Sequence, residues 1–134
     1  MTNSKGNIIP LIFYKDAGAA IDWLCEAFGF ERRVVLPGEG GAIIHAQLTL
    51  GNGMIMLRSA GDDDVSGLMS TPSGGKVTQV PYIFVEDIDA HYRQVKAAGA
   101  DIAVEIADQP HGHRLYFARD PEGHIWNFGS YDPW

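Results

Sequence analysis

Five histidines, His45, His91, His111, His113 and His124, are the first residues to weigh for chemistry. His45 stands two residues before Gln47 in a segment that reads as a strand, so both project from one face. An imidazole on that face can hold a ligand or act as general base near neutral pH, which makes His45 the candidate catalytic residue; a packed, hydrogen-bonded histidine is the alternative. His91 falls on a predicted helix with no second ligand at four-residue spacing and is expected to face solvent. His111-Gly112-His113 could hold a transition metal through a loop. Turn histidines more often pair with backbone or solvent, and His124, in a closing turn, reads the same way. No Ser or Cys stands in a nucleophile elbow, and Ser73-Gly74-Gly75-Lys76 lacks the strand and helix that flank a phosphate loop. Cys25, the only cysteine, has no second thiol for a disulfide or a metal and reads as a half-buried helix residue.

The elements that must position these groups are legible as a repeat. At an offset of 71 residues, Ile9-Pro10-Leu11-Ile12-Phe13-Tyr14-Lys15-Asp16 aligns with Val80-Pro81-Tyr82-Ile83-Phe84-Val85-Glu86-Asp87. Each segment reads as a buried strand ending in Asp, a residue whose carboxylate accepts hydrogen bonds from the free amides of a helix start. Apolar residues then recur at helical spacing, at Ala20, Trp23, Leu24, Ala27 and Phe28 and again at Ile88, Tyr92, Val95 and Ala98, stopped by Gly29 and Gly99. Strands are predicted over 30–36, 42–50 and 54–59, and over 101–107, 114–118 and 124–130. Gly51-Asn52-Gly53 and Asp120-Pro121-Glu122-Gly123 supply the tight turns of the two final hairpins. The prediction is one α+β domain over 1–134, with a βαβββ copy at 7–59, a linker at 60–77 and a second copy at 78–130. The linker reads as a simple connection or, given its length, as a flap over a pocket.

Strand alternation sorts the faces. Ile44, Ala46, Leu48 and Leu50 must meet the helices, leaving His45, Gln47 and Thr49 on the other side. The same parity aims Ile9, Leu11, Phe13, Met54, Met56 and Arg58 at a cavity between the copies, with Val80, Tyr82, Phe84, Arg114, Tyr116, Ile125 and Asn127 facing them. From these, the expected ligand-binding set is Phe13, His45, Gln47, Met56, Arg58, Tyr82, Phe84, Arg114, Tyr116 and Asn127. It is an apolar and aromatic lining with few polar groups, as small-molecule sites have.

Composition narrows the partners. A 134-residue chain with 46% hydrophobic residues supports one buried core. The net charge of -7 and the scattered Lys and Arg residues argue against nucleic acid. No apolar run approaches the roughly 20 residues of a membrane span, and the start of the chain lacks a signal's apolar segment. A soluble, cytoplasmic protein with no membrane partner is the expectation.

Together these features resemble the vicinal oxygen chelate superfamily, which contains glyoxalase I, bleomycin resistance proteins, fosfomycin resistance proteins and extradiol dioxygenases. The most specific element is Arg119-Asp120-Pro121-Glu122-Gly123-His124-Ile125-Trp126-Asn127-Phe128, similar to that family's "DP-x-G-x-x-x-E" closing hairpin. The resemblance implies two tandem βαβββ units forming a curved mixed sheet around a cavity. In the family's enzymes, His, Gln or Glu at equivalent strand positions hold a divalent metal. Here those positions fall on Ile9, Met56, Val80 and Asn127: two residues with no donor, a soft thioether and a neutral amide. The expectation is a metal-free small-molecule-binding protein without a cofactor, of the bleomycin resistance type, holding an aromatic or cationic compound. The alternative is a glyoxalase-like lyase, or another enzyme with a non-standard site built around His45, Arg58 and Arg114. The resemblance and the exposed sheet edges also imply a homodimer.

Overall fold

The computed structural model describes residues 6–134. The expectation about the start of the chain falls partly on residues 1–5, outside the described residues. The elements run β1 (Leu11–Tyr14), α1 (Ala17–Phe28), β2 (Glu31–Pro37), β3 (Ile43–Leu50), β4 (Gly53–Ser59), β5 (Tyr82–Phe84), α2 (Ile88–Ala97), β6 (Asp101–Asp108), β7 (Arg114–Arg119) and β8 (Ile125–Gly129). Both helices start where the aspartates demand: Asp16 Oδ1 accepts from the Ala19 N–H at 3.1 Å, and Asp87 Oδ1 accepts from the Ala90 N–H at 3.0 Å. α1 stops at Gly29, whose φ of 90° is a left-handed conformation that glycine adopts without strain.

The strands form two four-stranded mixed sheets, β1-β4-β3-β2 and β5-β8-β7-β6, with β1 parallel to β4 and β5 parallel to β8. The repeat extends to individual hydrogen bonds. Met56 N–H donates to Pro10 O at 2.9 Å and Asn127 N–H to Pro81 O at 3.0 Å. Ile43 N–H donates to Ser59 Oγ at 2.9 Å and Arg114 N–H to Ser130 Oγ at 3.0 Å.

The helix-facing sides of both sheets share one core. Tyr14, Leu24, Phe28, Leu48 and Leu57 of the first copy pack with Val95, Tyr116, Trp126 and Phe128 of the second. The Phe28 ring meets Phe128 edge-on at 4.8 Å and Trp126 at 5.7 Å. Among the polar bridges that tie the copies within this apolar mass, two are centred on Asp120 and His91. Asp120, 4% exposed, accepts from Tyr14 Oη at 2.6 Å, Trp126 Nε1 at 3.2 Å, and the Glu122 and His124 amides at 3.0 Å each. Burial, then Asp120, holds the Tyr14 hydroxyl well above its ordinary pKa, so it remains a donor. The same turn reaches back to the first helix: Glu122 accepts from the Lys15 and Asp16 amides, and His124 Nε2 donates to Phe13 O at 2.8 Å.

The second bridge is His91, expected at the surface but found half-buried between the copies. Its Nε2 donates to Phe28 O at 2.8 Å, its Nδ1 accepts from Tyr116 Oη at 2.6 Å, and its ring lies 4.5 Å from that of Phe128. Helical spacing identifies which residues share a helix face, but not that a second helix will pack there.

Strand parity fails at Ile44, Arg114 and Tyr116, for one reason. In β3 the pairing steps from Leu36–His45 to Pro37–Ile43, a bulge that buries Ile43 and turns Ile44 outward. β7 has no residue matching the bulge, and the closing turn before β8 is one residue longer, so the offset of 71 holds at both ends and slips by one along β7. Gln47 pairs with Met56, while Phe117, not Ala118, pairs with Asn127. Tyr116, expected in the cavity, is therefore fully buried on the helix side, and Arg114 reaches α2, pairing with Asp89 at 2.6 Å.

Replacing Asp120 with Ala orphans several buried donors at once, and is expected to lower unfolding free energy by about 3 kcal/mol or more, read by urea denaturation. His91 predicts a pH dependence. Burial holds its folded-state pKa below the ordinary histidine value of 6.5, so the unfolded chain takes up the proton first. Stability is expected to fall as pH drops through about 6.5. His91→Gln should flatten that limb of the urea midpoint against pH.

Candidate functional site

With the helix sides joined, each sheet keeps an open face. On the first, Leu11 pairs beside Met56 and Gln47, and Phe13 pairs beside Arg58. Phe13 is 2% exposed, and the Arg58 guanidinium lies 5.0 Å from its ring centroid while bonding Asp63 at 2.9 Å. Gln47 Nε2 donates to His45 Nε2 at 3.2 Å, engaging the ring nitrogen that a general base would use. His45, Gln47, Met56, Arg58 and Phe13 thus occupy one face, as strand parity requires.

On the second open face Tyr82 pairs beside Asn127 and Phe117, and Phe84 beside Gly129 and Leu115. The Tyr82 ring passes so close over Gly129 that a Cβ there would sit 2.6 Å from Tyr82 Oη, which itself donates to Tyr131 O at 2.6 Å. Phe117, Leu115 and Arg119 are the face residues that sequence parity missed; they stand where Tyr116 and Arg114 were expected. The available signal was the length of the Asp120–His124 turn, which compensates a bulge that no residue type announces.

The two faces differ in chemistry at matched positions. Gln47 corresponds to Phe117, His45 to Leu115 and Arg58 to Gly129, so at these three rungs the first face is polar and the second is not, Asn127 and Arg119 being the polar groups of the second face. Two clefts follow the seam between the copies. One, of about 430 Å³, runs between Leu11, Phe13 and Ile125 on one side and linker residues such as Met69, Thr71, Lys76 and Val77 on the other. Here the linker is a wall: Arg119 Nη2 donates to Gly75 O at 3.5 Å, and Pro72 packs on Gly123. The second, of about 700 Å³, lies among Pro10, Met54, Tyr82, Phe84 and the terminal residues Asp132 and Trp134.

The metal positions implied by the resemblance can be tested on these faces. Met56 and Asn127 occupy matched rungs beside Leu11 and Tyr82, and Ile9 and Val80 precede those residues by two. The Asn127 Oδ1 is buried without a partner, but it is one neutral oxygen. Among the described residues, no three His, Cys, Asp or Glu side chains gather in a group that could hold a metal ion. A hard divalent ion needs several anionic or imidazole donors, and these four side chains do not fit it. No helix of the described residues is long and apolar enough to cross a membrane.

Residues 8–128 match the family model described as Glyoxalase/Bleomycin resistance protein/Dioxygenase superfamily. The chain is 31% identical over 130 residues to the uncharacterized protein Rv0887c of Mycobacterium tuberculosis, covering 96% of this chain and 76% of that protein. Among solved structures it is similar to TioX from Micromonospora sp. ML1, at 35% identity and a TM-score of 0.75, over 93% of this chain and 98% of the other. The fosfomycin resistance protein FosX from Listeria monocytogenes, solved with Mn(II) and sulfate, shares the fold at 13% identity and a TM-score of 0.67, over 99% and 96% of the two chains.

Gly129→Ala is expected to push the Tyr82 ring off the strand, break its bond to Tyr131 O and cost about 1–2 kcal/mol, measured by urea unfolding. Tyr82→Phe in the same background should cost little more, because the hydroxyl bond is already lost.

Proposed function

The chain belongs to the glyoxalase/bleomycin resistance protein/dioxygenase superfamily, and we propose that it is a metal-free binding protein for a planar aromatic small molecule. One observation carries this reading: the four strand positions that hold metal in the family's enzymes carry Ile9, Met56, Val80 and Asn127, while the surrounding faces keep an apolar, aromatic lining. A site that had lost both metal and lining would have no reason to keep Phe13, Tyr82, Phe84 and Phe117 on the sides of the sheets that the helices leave uncovered. The contrast between faces supports a ligand with one polar edge, read by Gln47, His45 and Arg58, and one apolar edge against Phe117 and Tyr82.

A homodimer belongs to the same proposal. Leu36, Tyr82, Phe84 and Val104 are large apolar side chains, each more than a third exposed in the single chain, and Leu36 and Val104 are about half exposed. Covering such patches with a second copy removes apolar area from water and would close the open faces into a ligand chamber. A monomeric mass by light scattering at micromolar concentration would count against it.

Protein stripped with a chelator and screened by thermal shift against planar aromatic compounds should be stabilised by some of them. Saturation at 100 times Kd corresponds to about 2.7 kcal/mol. Gln47→Ala and Phe117→Ala, on opposite faces, should each weaken that binding by about tenfold. Binding or turnover that appears only when a divalent metal is restored would overturn the proposal.

A further inference from the structure

We propose that the loop His111-Gly112-His113, closed on one side by Tyr131, is a surface site for a borderline divalent transition-metal ion such as Ni²⁺ or Zn²⁺. It uses none of the side chains of the open faces or of the four family metal positions, and it does not depend on the ligand-binding reading. The two imidazole centroids lie 5.3 Å apart, and the Tyr131 ring lies 5.6 Å from His111 and 5.3 Å from His113. Two imidazoles on one tetrahedral ion, each with a metal–nitrogen distance of about 2.1 Å, have their centroids roughly 5 Å apart. The centroid spacing of His111 and His113 matches that of two rings on a shared ion. Imidazole nitrogen is a donor that Ni²⁺ and Zn²⁺ favour.

The loop is held in place rather than trailing. Gln109 N–H donates to His113 O at 2.7 Å and Gly112 N–H to Gln109 O at 2.9 Å, with Gly112 at a φ of 90° that a side chain would strain. Tyr131 is fixed from beneath, because its carbonyl accepts the Tyr82 hydroxyl. Among the described residues, the hydrogen bond at the His111 ring is from the His113 N–H to Nδ1, at 3.4 Å, a weak hold that a metal can replace.

The repeat supplies the control that fold alone does not call for these side chains. In the first copy the matching loop closes with the same outer bond, Gly38 N–H donating to Ala42 O at 2.8 Å, and Gly41 stands at a φ of 81° in the place of Gly112, while its inner bond runs from Ala42 N–H to Glu39 O at 3.1 Å. Its residues at the two histidine positions are Gly40 and Ala42, and Ala60 stands in the place of Tyr131. A turn that folds with no ring at all in one copy carries three clustered rings in the other. The net charge of -7 favours any cation that approaches.

The test is isothermal titration of the full chain, free of any affinity tag, with nickel(II) chloride and separately with zinc chloride at pH 7.5. One ion per chain is expected for at least one of them. His111→Ala and His113→Ala should each weaken it at least tenfold, and the double variant should abolish it. All three variants should melt as the wild type does in the absence of metal. Absence of saturable binding by both ions, or a double variant that binds like the wild type, would overturn the proposal.

Discussion

A carboxylate buried in an apolar core must find donors, and that demand on Asp120 sets how the two copies meet. Four donors converge on it: two from its own turn, one from Trp126 on β8 and one from Tyr14 on the opposite copy. Only the Tyr14 hydroxyl crosses the seam, so the closing turn of the second copy has to sit against the first strand. Glu122 and His124 then bond the backbone at 13–16, which continues directly into α1. Capping, packing and the seam are thus one arrangement rather than three.

Joining the copies in this way places both helices in a common core and leaves the opposite sides of the sheets uncovered. Phe28, Trp126 and Phe128 do the packing that a helix against its own sheet would otherwise do alone. The polar groups of the first face therefore owe nothing to core formation. Arg58 lies over Phe13 and is tethered by Asp63 of the linker, and the linker then forms a cleft wall and reaches Arg119 on the other face.

Much of the fold was legible because its signals are local. Asp16 and Asp87 announce helices by their chemistry, Gly29 ends one by its conformation, and alternation along β3 and β4 assigns His45, Gln47, Met56 and Arg58 to one side. What sequence could not show was a bulge and its compensation: the extra residue at Ile44 and the longer turn at 120–124 cancel over the length of the repeat, so an ungapped alignment looks sound while every side chain of β7 changes face. Arg114 and Tyr116 were lost to that slip, and Leu115, Phe117 and Arg119 were hidden by it. His91 failed differently, since its environment comes from Phe28 and Tyr116, 63 and 25 residues away along the chain.

A duplicated fold offers an internal comparison that a single copy lacks. Where the copies agree, as at the two Asp caps, the Pro carbonyls and the Ser59 and Ser130 hydroxyls, the residue serves the architecture, because both halves need it. Where matched positions differ in chemistry while the backbone bonds stay the same, the architecture does not dictate the choice. Gln47 against Phe117, His45 against Leu115, Arg58 against Gly129 and the ring-bearing loop at 111–113 against the bare one at 40–42 are all of this second kind. Function is most economically sought there, once the pairs that serve the seam between the copies, such as Ala20 against His91, are set aside.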